Sequence, residues 1–147
     1  MSVNIHPTAI VSDGASLGTD VTIGPYCTVG THVTIGDRVT LHSHVVIDGH
    51  TSLGAGGEVF PFAVLGCPPQ HTRYAGEEST LEIGTDCVIR EHVTMHPGTA
   101  IDSMRTRVGN NGLFLVASHI AHDCVIGDHA IFANNASLGG HAKIGHH

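Results

Sequence analysis

Aliphatic residues recur at every sixth position along the first part of the chain, with polar residues and glycines between them. Glycine often follows the aliphatic residue, and a small or β-branched residue stands four positions after it. Neither an amphipathic helix nor a strand of simple alternation sustains a period of six. The pattern therefore predicts short strands joined by tight corners. The aliphatic series is Val11, Leu17, Ile23, Val29, Ile35, Leu41, Ile47, Leu53, Val59 and Leu65.

Three such segments are expected to close one triangular coil of about 18 residues, with successive coils about 4.8 Å apart. The sequence thus predicts an all-β fold, a parallel β-helix built from hexapeptide repeats that forms one domain over residues 1–147. The aliphatic residue and the small residue four positions later point into the bore. Cys27, Cys87 and Cys124 occupy the small position, so we expect them to be reduced thiols of the core.

The repeat is interrupted twice. The phase set by Leu65 continues beyond residues 67–82, which are therefore predicted to form an inserted loop. After Ile101 the phase slips by one residue and resumes at Val108, which predicts a small bulge near residues 102–107.

Charge and composition exclude several function classes. The chain has 6 Lys and Arg against 13 Asp and Glu, a net charge of -7, so it lacks the positive charge that nucleic acid binding needs. No apolar run approaches the roughly 18 residues of a membrane span, and the opening residues lack a basic stretch followed by an apolar one. We therefore expect a cytoplasmic protein without membrane insertion. The four cysteines form no CxxC pair, which argues against a structural zinc site.

The spacing of the repeat brings two candidate groups together. Residues eighteen apart in one uninterrupted phase lie over each other, so His122 is expected under Gly140 and Asp123 under His141. A histidine beside an unobstructed backbone N–H is the minimum set for acyl transfer, because the ring takes a proton and the N–H receives the oxyanion. Asp123 can fix the ring tautomer. His119 lies in the same segment, SHIAHDC.

Other interpretations of the 14 histidines stay open at this point. Many stand at the fourth, corner position of a hexapeptide, where a solvated surface residue is the simplest explanation: His32, His44, His50, His92, His129 and His141. A second chemistry is zinc-dependent hydration, as in the gamma-class carbonic anhydrases, with His92, His96, His119 and His122 as conceivable ligands. The slip after Ile101 disturbs the match of these four between coils. Another hexapeptide acyltransferase acting on an amino sugar and a non-catalytic solenoid scaffold are further alternatives.

Longer motifs carry a more specific resemblance. They are IHPTAIV, SHVVIDGHT, PPQHTRYAGE, IREHVTMHPGT, SHIAHDCVIG and ANNASLGGHAKIG. With them the chain resembles the N-terminal part of the UDP-N-acetylglucosamine O-acyltransferases, which begin lipid A synthesis, along essentially all 147 residues. The resemblance implies a left-handed β-helix and a homotrimer with sites between subunits. It also implies transfer of a 3-hydroxyacyl chain from acyl carrier protein to the glucosamine 3-position of UDP-N-acetylglucosamine.

The resemblance assigns roles to individual residues. It implies His122 as the general base, Asp123 as its orienting carboxylate and Gly140 as the oxyanion donor, without metal, cofactor or acyl-enzyme. The implied sugar-nucleotide contacts are Gln70, His71, Arg73, His119 and His141. The family often carries Asp where this chain has His71, so the acceptor atom at position 3, oxygen or nitrogen, stays open. Relatives continue with further coils and a C-terminal helical domain, so the chain is expected to be truncated.

Overall fold

The computed structural model describes residues 2–147, and its strands form three parallel sheets of seven strands each. The first sheet contains β1 (Asn4–Ile5), β4 (Thr22–Ile23), β7 (Thr40–Leu41), β10 (Glu58–Val59), β13 (Val88–Ile89), β16 (Leu113–Phe114) and β19 (Ile131–Phe132). The second contains β2 (Ile10–Val11), β5 (Thr28–Val29), β8 (Val46–Ile47), β11 (Val64–Leu65), β14 (Thr94–Met95), β17 (His119–Ile120) and β20 (Ser137–Leu138). The third contains β3 (Ser16–Leu17), β6 (Thr34–Ile35), β9 (His50–Leu53), β12 (Thr80–Ile83), β15 (Arg105–Val108), β18 (Val125–Ile126) and β21 (Lys143–Ile144).

Each strand pairs with the third strand after it, so one turn of the chain visits each sheet once. Ile23 of β4 aligns with Leu41 of β7, and Val29 of β5 aligns with Ile47 of β8. These aliphatic side chains are fully buried and stack from coil to coil as one continuous core. The predicted parallel β-helix with a coil of three hexapeptides is thereby confirmed.

The corners between strands require an unusual backbone. The fourth residue of most hexapeptides has a positive φ, for example 57° at His44, 61° at His92 and 60° at His129. These three side chains are exposed, as the sequence predicts for corner histidines. His50 differs, because it is the first residue of β9 and is only half-exposed, while the positive φ falls on Gly49.

Both interruptions have different limits from those predicted. The inserted loop ends at residue 79 rather than 82, because β12 pairs along all four of its residues with β9 and β15. The bulge covers residues 96–104 rather than 102–107, because β15 begins at Arg105. Longer strands at these places satisfy the backbone hydrogen bonds of the loop ends.

The cysteines lie where the hexapeptide position places them. Cys27, Cys87 and Cys124 are buried free thiols, and burial raises the pKa of each. Their expected role as core residues is confirmed. No helix that could cross a membrane occurs in the part of the chain that the structure describes.

Candidate active site

A buried carboxylate lies in the corner between β17 and β18. Asp123 takes the positive φ of the corner, 61°, and its backbone N–H donates to Thr106 Oγ1 at 2.9 Å. This conformation turns the carboxylate into the protein, where the residue is 2% exposed. His122 precedes it and is also buried.

Thr99 provides two of the four hydrogen bonds of this carboxylate, and the Ser103 hydroxyl and the His122 ring provide the others. Its backbone N–H donates to Asp123 Oδ1 at 2.9 Å, and its hydroxyl donates to Oδ2 at 2.5 Å. Burial favours the neutral acid, but the bonds from Thr99 and His122 outweigh it and hold the pKa of Asp123 below its usual range. Asp123 is therefore a buried anion at neutral pH.

The ionised carboxylate determines the tautomer of His122. Nδ1 of His122 lies 2.9 Å from Asp123 Oδ2, so this nitrogen carries a proton and donates it to the carboxylate. In the neutral ring Nε2 then holds a lone pair. A histidine oriented in this way can accept a proton from a bound hydroxyl or amine, and the adjacent anion stabilises the imidazolium that forms.

Gly140 covers the face of the same ring. A Cβ atom built on Gly140 would lie 2.3 Å from His122 Cε1 and 2.5 Å from Nε2. The next residue is fixed to the coil below, because the His141 N–H donates to the His122 carbonyl at 3.0 Å. The spacing of eighteen residues thus predicts the stacking correctly. Among the described residues, none accepts a hydrogen bond from the Gly140 N–H.

Two further histidines flank the ring. His71, from the inserted loop, and His141 each lie with their ring centroid 5.0 Å from that of His122, both nearly perpendicular to it. His141 Nδ1 is 2.7 Å from Asp102 Oδ2 and 4.0 Å from Asp123 Oδ2. The structure therefore gathers three imidazoles and two carboxylates around one corner.

A second pair of histidines lies beside this corner, His96 directly after β14 and His119 on β17. His96 and His119 are perpendicular, with ring centroids 4.9 Å apart, and His119 Nδ1 is 2.7 Å from Thr94 Oγ1. Burial, followed by the charges of His119 and His122, lowers the pKa of His96 to about 4. Burial also lowers the pKa of His119. Both rings are thus neutral at pH 7.

The remaining predicted contact residues lie further out. Gln70 and Arg73 are exposed on the inserted loop, on either side of His71. Within residues 2–147, no hydrogen bond joins either side chain to His122 or Asp123. Of the four histidines considered as zinc ligands, His92 lies apart, because it stacks on Phe62 at an exposed edge.

Sequence reasoning missed several residues of this site. These residues lie within the second interruption or in the strand that follows it: Thr99, Asp102, Ser103 and Thr106. The six-residue period is broken there, so the sequence position of a residue does not predict its position in the fold. The sequence does carry a weaker signal, since a polar segment that replaces a repeat is a candidate functional loop.

The fold is that of the hexapeptide-repeat proteins. The family model described as "Bacterial transferase hexapeptide (six repeats)" matches residues 14–49.

Similar proteins identify the family within this class. The acyl-[acyl-carrier-protein]–UDP-N-acetylglucosamine O-acyltransferase of Azorhizobium caulinodans is 58% identical over 124 residues, which are 84% of this chain and 46% of that protein. That of Rhizobium johnstonii is 50% identical over 139 residues, 95% of this chain and 51% of that protein. The solved structure of the UDP-N-acetylglucosamine O-acyltransferase of Moraxella catarrhalis has a TM-score of 0.96 at 48% identity and covers 97% of this chain and 56% of that one.

The chain belongs to the UDP-N-acetylglucosamine O-acyltransferase family and matches its β-helical part. It spans about half the length of the curated relatives it matches. The predicted left hand of the β-helix is confirmed with the family.

Proposed function

We propose that this chain carries the catalytic centre of an acyltransferase that moves a 3-hydroxyacyl chain from acyl carrier protein to the glucosamine 3-position of UDP-N-acetylglucosamine. This is the first step of lipid A synthesis. The observation that carries the proposal is the buried His122–Asp123 pair beneath Gly140. It occurs in a chain that is 58% identical to the acyl-[acyl-carrier-protein]–UDP-N-acetylglucosamine O-acyltransferase of Azorhizobium caulinodans.

In this proposal His122 is the general base. Nε2 takes the proton of the acceptor as the acceptor attacks the acyl thioester, and Asp123 stabilises the resulting imidazolium. The Gly140 N–H donates to the oxyanion of the tetrahedral intermediate. As this intermediate collapses, the carbon–sulfur bond breaks and the proton on His122 passes to the leaving thiolate, so base and acid are the same residue.

The neighbouring residues are assigned to the acceptor. We assign His71 and His141, which flank His122, to contacts with the sugar, together with His119 beside the same corner. Gln70 and Arg73 on the exposed loop are assigned to the nucleotide. His71 has no fixed negative charge, so we expect both a hydroxyl and an amine at position 3 to be accepted.

Assembly completes the proposal. Following the family resemblance, we propose that the domain over residues 1–147 is the β-helical part of a longer cytoplasmic enzyme and forms a homotrimer with its sites between subunits. Sedimentation velocity is expected to give three times the chain mass of 15.3 kDa. A monomer at all concentrations would contradict the homotrimer.

Replacement of His122 tests the chemistry. In the full-length enzyme we expect His122→Ala to lower kcat for acyl transfer from acyl carrier protein by roughly 10²–10⁴, the usual share of general acid–base catalysis. Binding of UDP-N-acetylglucosamine, measured by calorimetry, should remain. His129→Ala, on an exposed corner of the same helix, is the control and should keep full activity. A His122→Ala variant that loses less than about tenfold would contradict the role of the base.

A further inference from the structure

Three side chains at the catalytic corner form a cluster of ligand atoms for a transition-metal ion, and a fourth lies beside them. Ligand atoms of His122, Asp123 and His141 all lie within 4.8 Å of one another. Asp102 adds a fourth, since its Oδ2 is 2.7 Å from His141 Nδ1. Two imidazole nitrogens with two carboxylate oxygens suit Zn²⁺ better than Mg²⁺ or Ca²⁺, which prefer oxygen ligands.

The distances agree with a zinc coordination sphere after a small movement. Zinc binds nitrogen and oxygen at about 2.0–2.2 Å with tetrahedral geometry, so two ligand atoms of one ion lie about 3.3–3.6 Å apart. Asp123 Oδ2 lies 2.9 Å from His122 Nδ1 and 4.0 Å from His141 Nδ1, so side-chain shifts of less than about 1 Å bring these atoms to that spacing. His141 and Asp102 have exposed side chains that can rotate toward the ion. The His141 backbone is fixed, because its N–H donates to the His122 carbonyl, so the movement is confined to side chains.

The surroundings of the set also suit a metal. Thr99 donates two hydrogen bonds to Asp123, and such bonds orient a ligating carboxylate. Thr99 holds the Asp123 carboxylate and the His122 ring sits against Gly140, so two ligands are already fixed in place.

We propose that His122, Asp123, His141 and Asp102 bind one Zn²⁺ ion, and that the bound ion inhibits acyl transfer. If the ion takes Nδ1 of His122, the single proton of the neutral ring moves to Nε2, which can then accept no proton. If it takes Nε2, it occupies the lone pair directly. In both cases the general base is lost without a net change in protons. Metal binding stands on geometry alone, whereas the inhibition rests on the proposed function.

Calorimetric titration of the chain with Zn²⁺ alone tests the site. We expect one ion per chain, with a Kd that rises at least about tenfold in His141→Ala and in Asp102→Asn. Asp102→Asn keeps a hydrogen-bond acceptor for His141 and replaces an exposed side chain, so it should fold normally. Co²⁺ in place of Zn²⁺ should give the visible absorption of a site of low coordination number, and this absorption should be lost in His141→Ala.

Surface histidines provide the controls. His32→Ala removes one ring of a stacked pair with His50, at 4.3 Å. The double variant His146→Gln and His147→Gln removes two rings whose Nδ1 atoms are 2.8 Å apart. Both should bind Zn²⁺ like the parent. The site is overturned if the parent binds no Zn²⁺, or if the surface variants lose binding while Asp102→Asn and His141→Ala keep it.

Turnover provides a separate measurement. Zn²⁺ should inhibit acyl transfer, EDTA should restore it, and Asp102→Asn should raise the half-inhibiting Zn²⁺ concentration about tenfold. Zn²⁺ that binds at this corner without slowing turnover would overturn the inhibition. Absence of turnover in the metal-free full-length enzyme would count against the proposed function, and the metal site would then be decided by calorimetry.

Discussion

At the scale of single residues, the position of the His122 ring depends on the absence of a side chain at Gly140. Gly140 has no positive φ, so the requirement for glycine there is space and not backbone conformation. A Cβ atom would meet three atoms of the His122 ring within 2.9 Å. One of these atoms is Nδ1, which is bonded to Asp123, so a shift of the ring away from a methyl group strains that bond.

We therefore expect Gly140→Ala to lower kcat by about 10², the cost of a displacement near 1 Å in a catalytic group. Stability should fall as well, because the added methyl group overlaps a buried ring, so the activities are compared for protein shown to be folded. The matched control is Gly139→Ala, where an added Cβ meets nothing within 4 Å. Steady-state kinetics of the two variants make the comparison. Equal activity in both would show that His122 is free to shift without loss.

At the scale of structural elements, the two interruptions of the repeat support each other. Glu77 Oε1 accepts from the Ala75 N–H at 2.8 Å, and Oε2 accepts from the Ala100 N–H at 2.8 Å. These bonds hold the pKa of Glu77 below its usual range. One carboxylate thus joins the loop that carries His71 to the bulge that carries Thr99, and so reaches both sides of the His122–Asp123 pair.

Replacing Glu77 should loosen both elements together. Glu77→Gln has only one carbonyl oxygen for two N–H donors, so we expect faster hydrogen exchange over residues 70–79 and 97–104, with slower turnover. Glu78→Gln is the control, because Glu78 is exposed and only pairs with His50, at 3.3 Å. Exchange that accelerates in one segment alone would show that the two elements are independent.

The same elements mark the limit of sequence-based prediction. Where the six-residue period holds, the position of a residue in the sequence determines its position in the coil. The stacking of His122 under Gly140 therefore follows from their spacing of eighteen residues. Thr99 and Asp102 lie where the chain leaves the repeat, and their positions depend on hydrogen bonds such as that from Thr99 to Asp123. The sequence did not predict that β12 begins at Thr80 and β15 at Arg105, for the same reason. Strand pairing at these two places extends beyond the two residues of a regular hexapeptide.

At the scale of the whole molecule, stacked coils create environments that no single coil has. His96 belongs to one coil and its ring faces the side chains of the next, His119 among them. The residue is 6% exposed, and its Nδ1 has no hydrogen-bond partner in the described residues. The neutral form of the His96 ring therefore depends on the packing of neighbouring coils against it. Protonation of the ring would oppose that packing.

This predicts a pH-dependent stability with a definite sign. The pKa of His96 is about 4 in the folded chain and about 6.5 when unfolded, so between these values the unfolded state binds more protons. The contribution of His96 is fully present above about pH 6.5 and is lost as pH falls toward 4, by about 3 kcal/mol. His119, whose pKa is also lowered, acts in the same direction.

Urea unfolding at several pH values between about 4.5 and 7.5 measures this loss. His96→Leu should flatten the fall in the free energy of unfolding, because it removes the group that titrates. His92→Leu changes an exposed ring that stacks on Phe62 at 5.3 Å and should keep the slope of the parent. If His96→Leu keeps that slope as well, the acid sensitivity originates elsewhere in the helix and His96 accepts its proton without disturbing the coils.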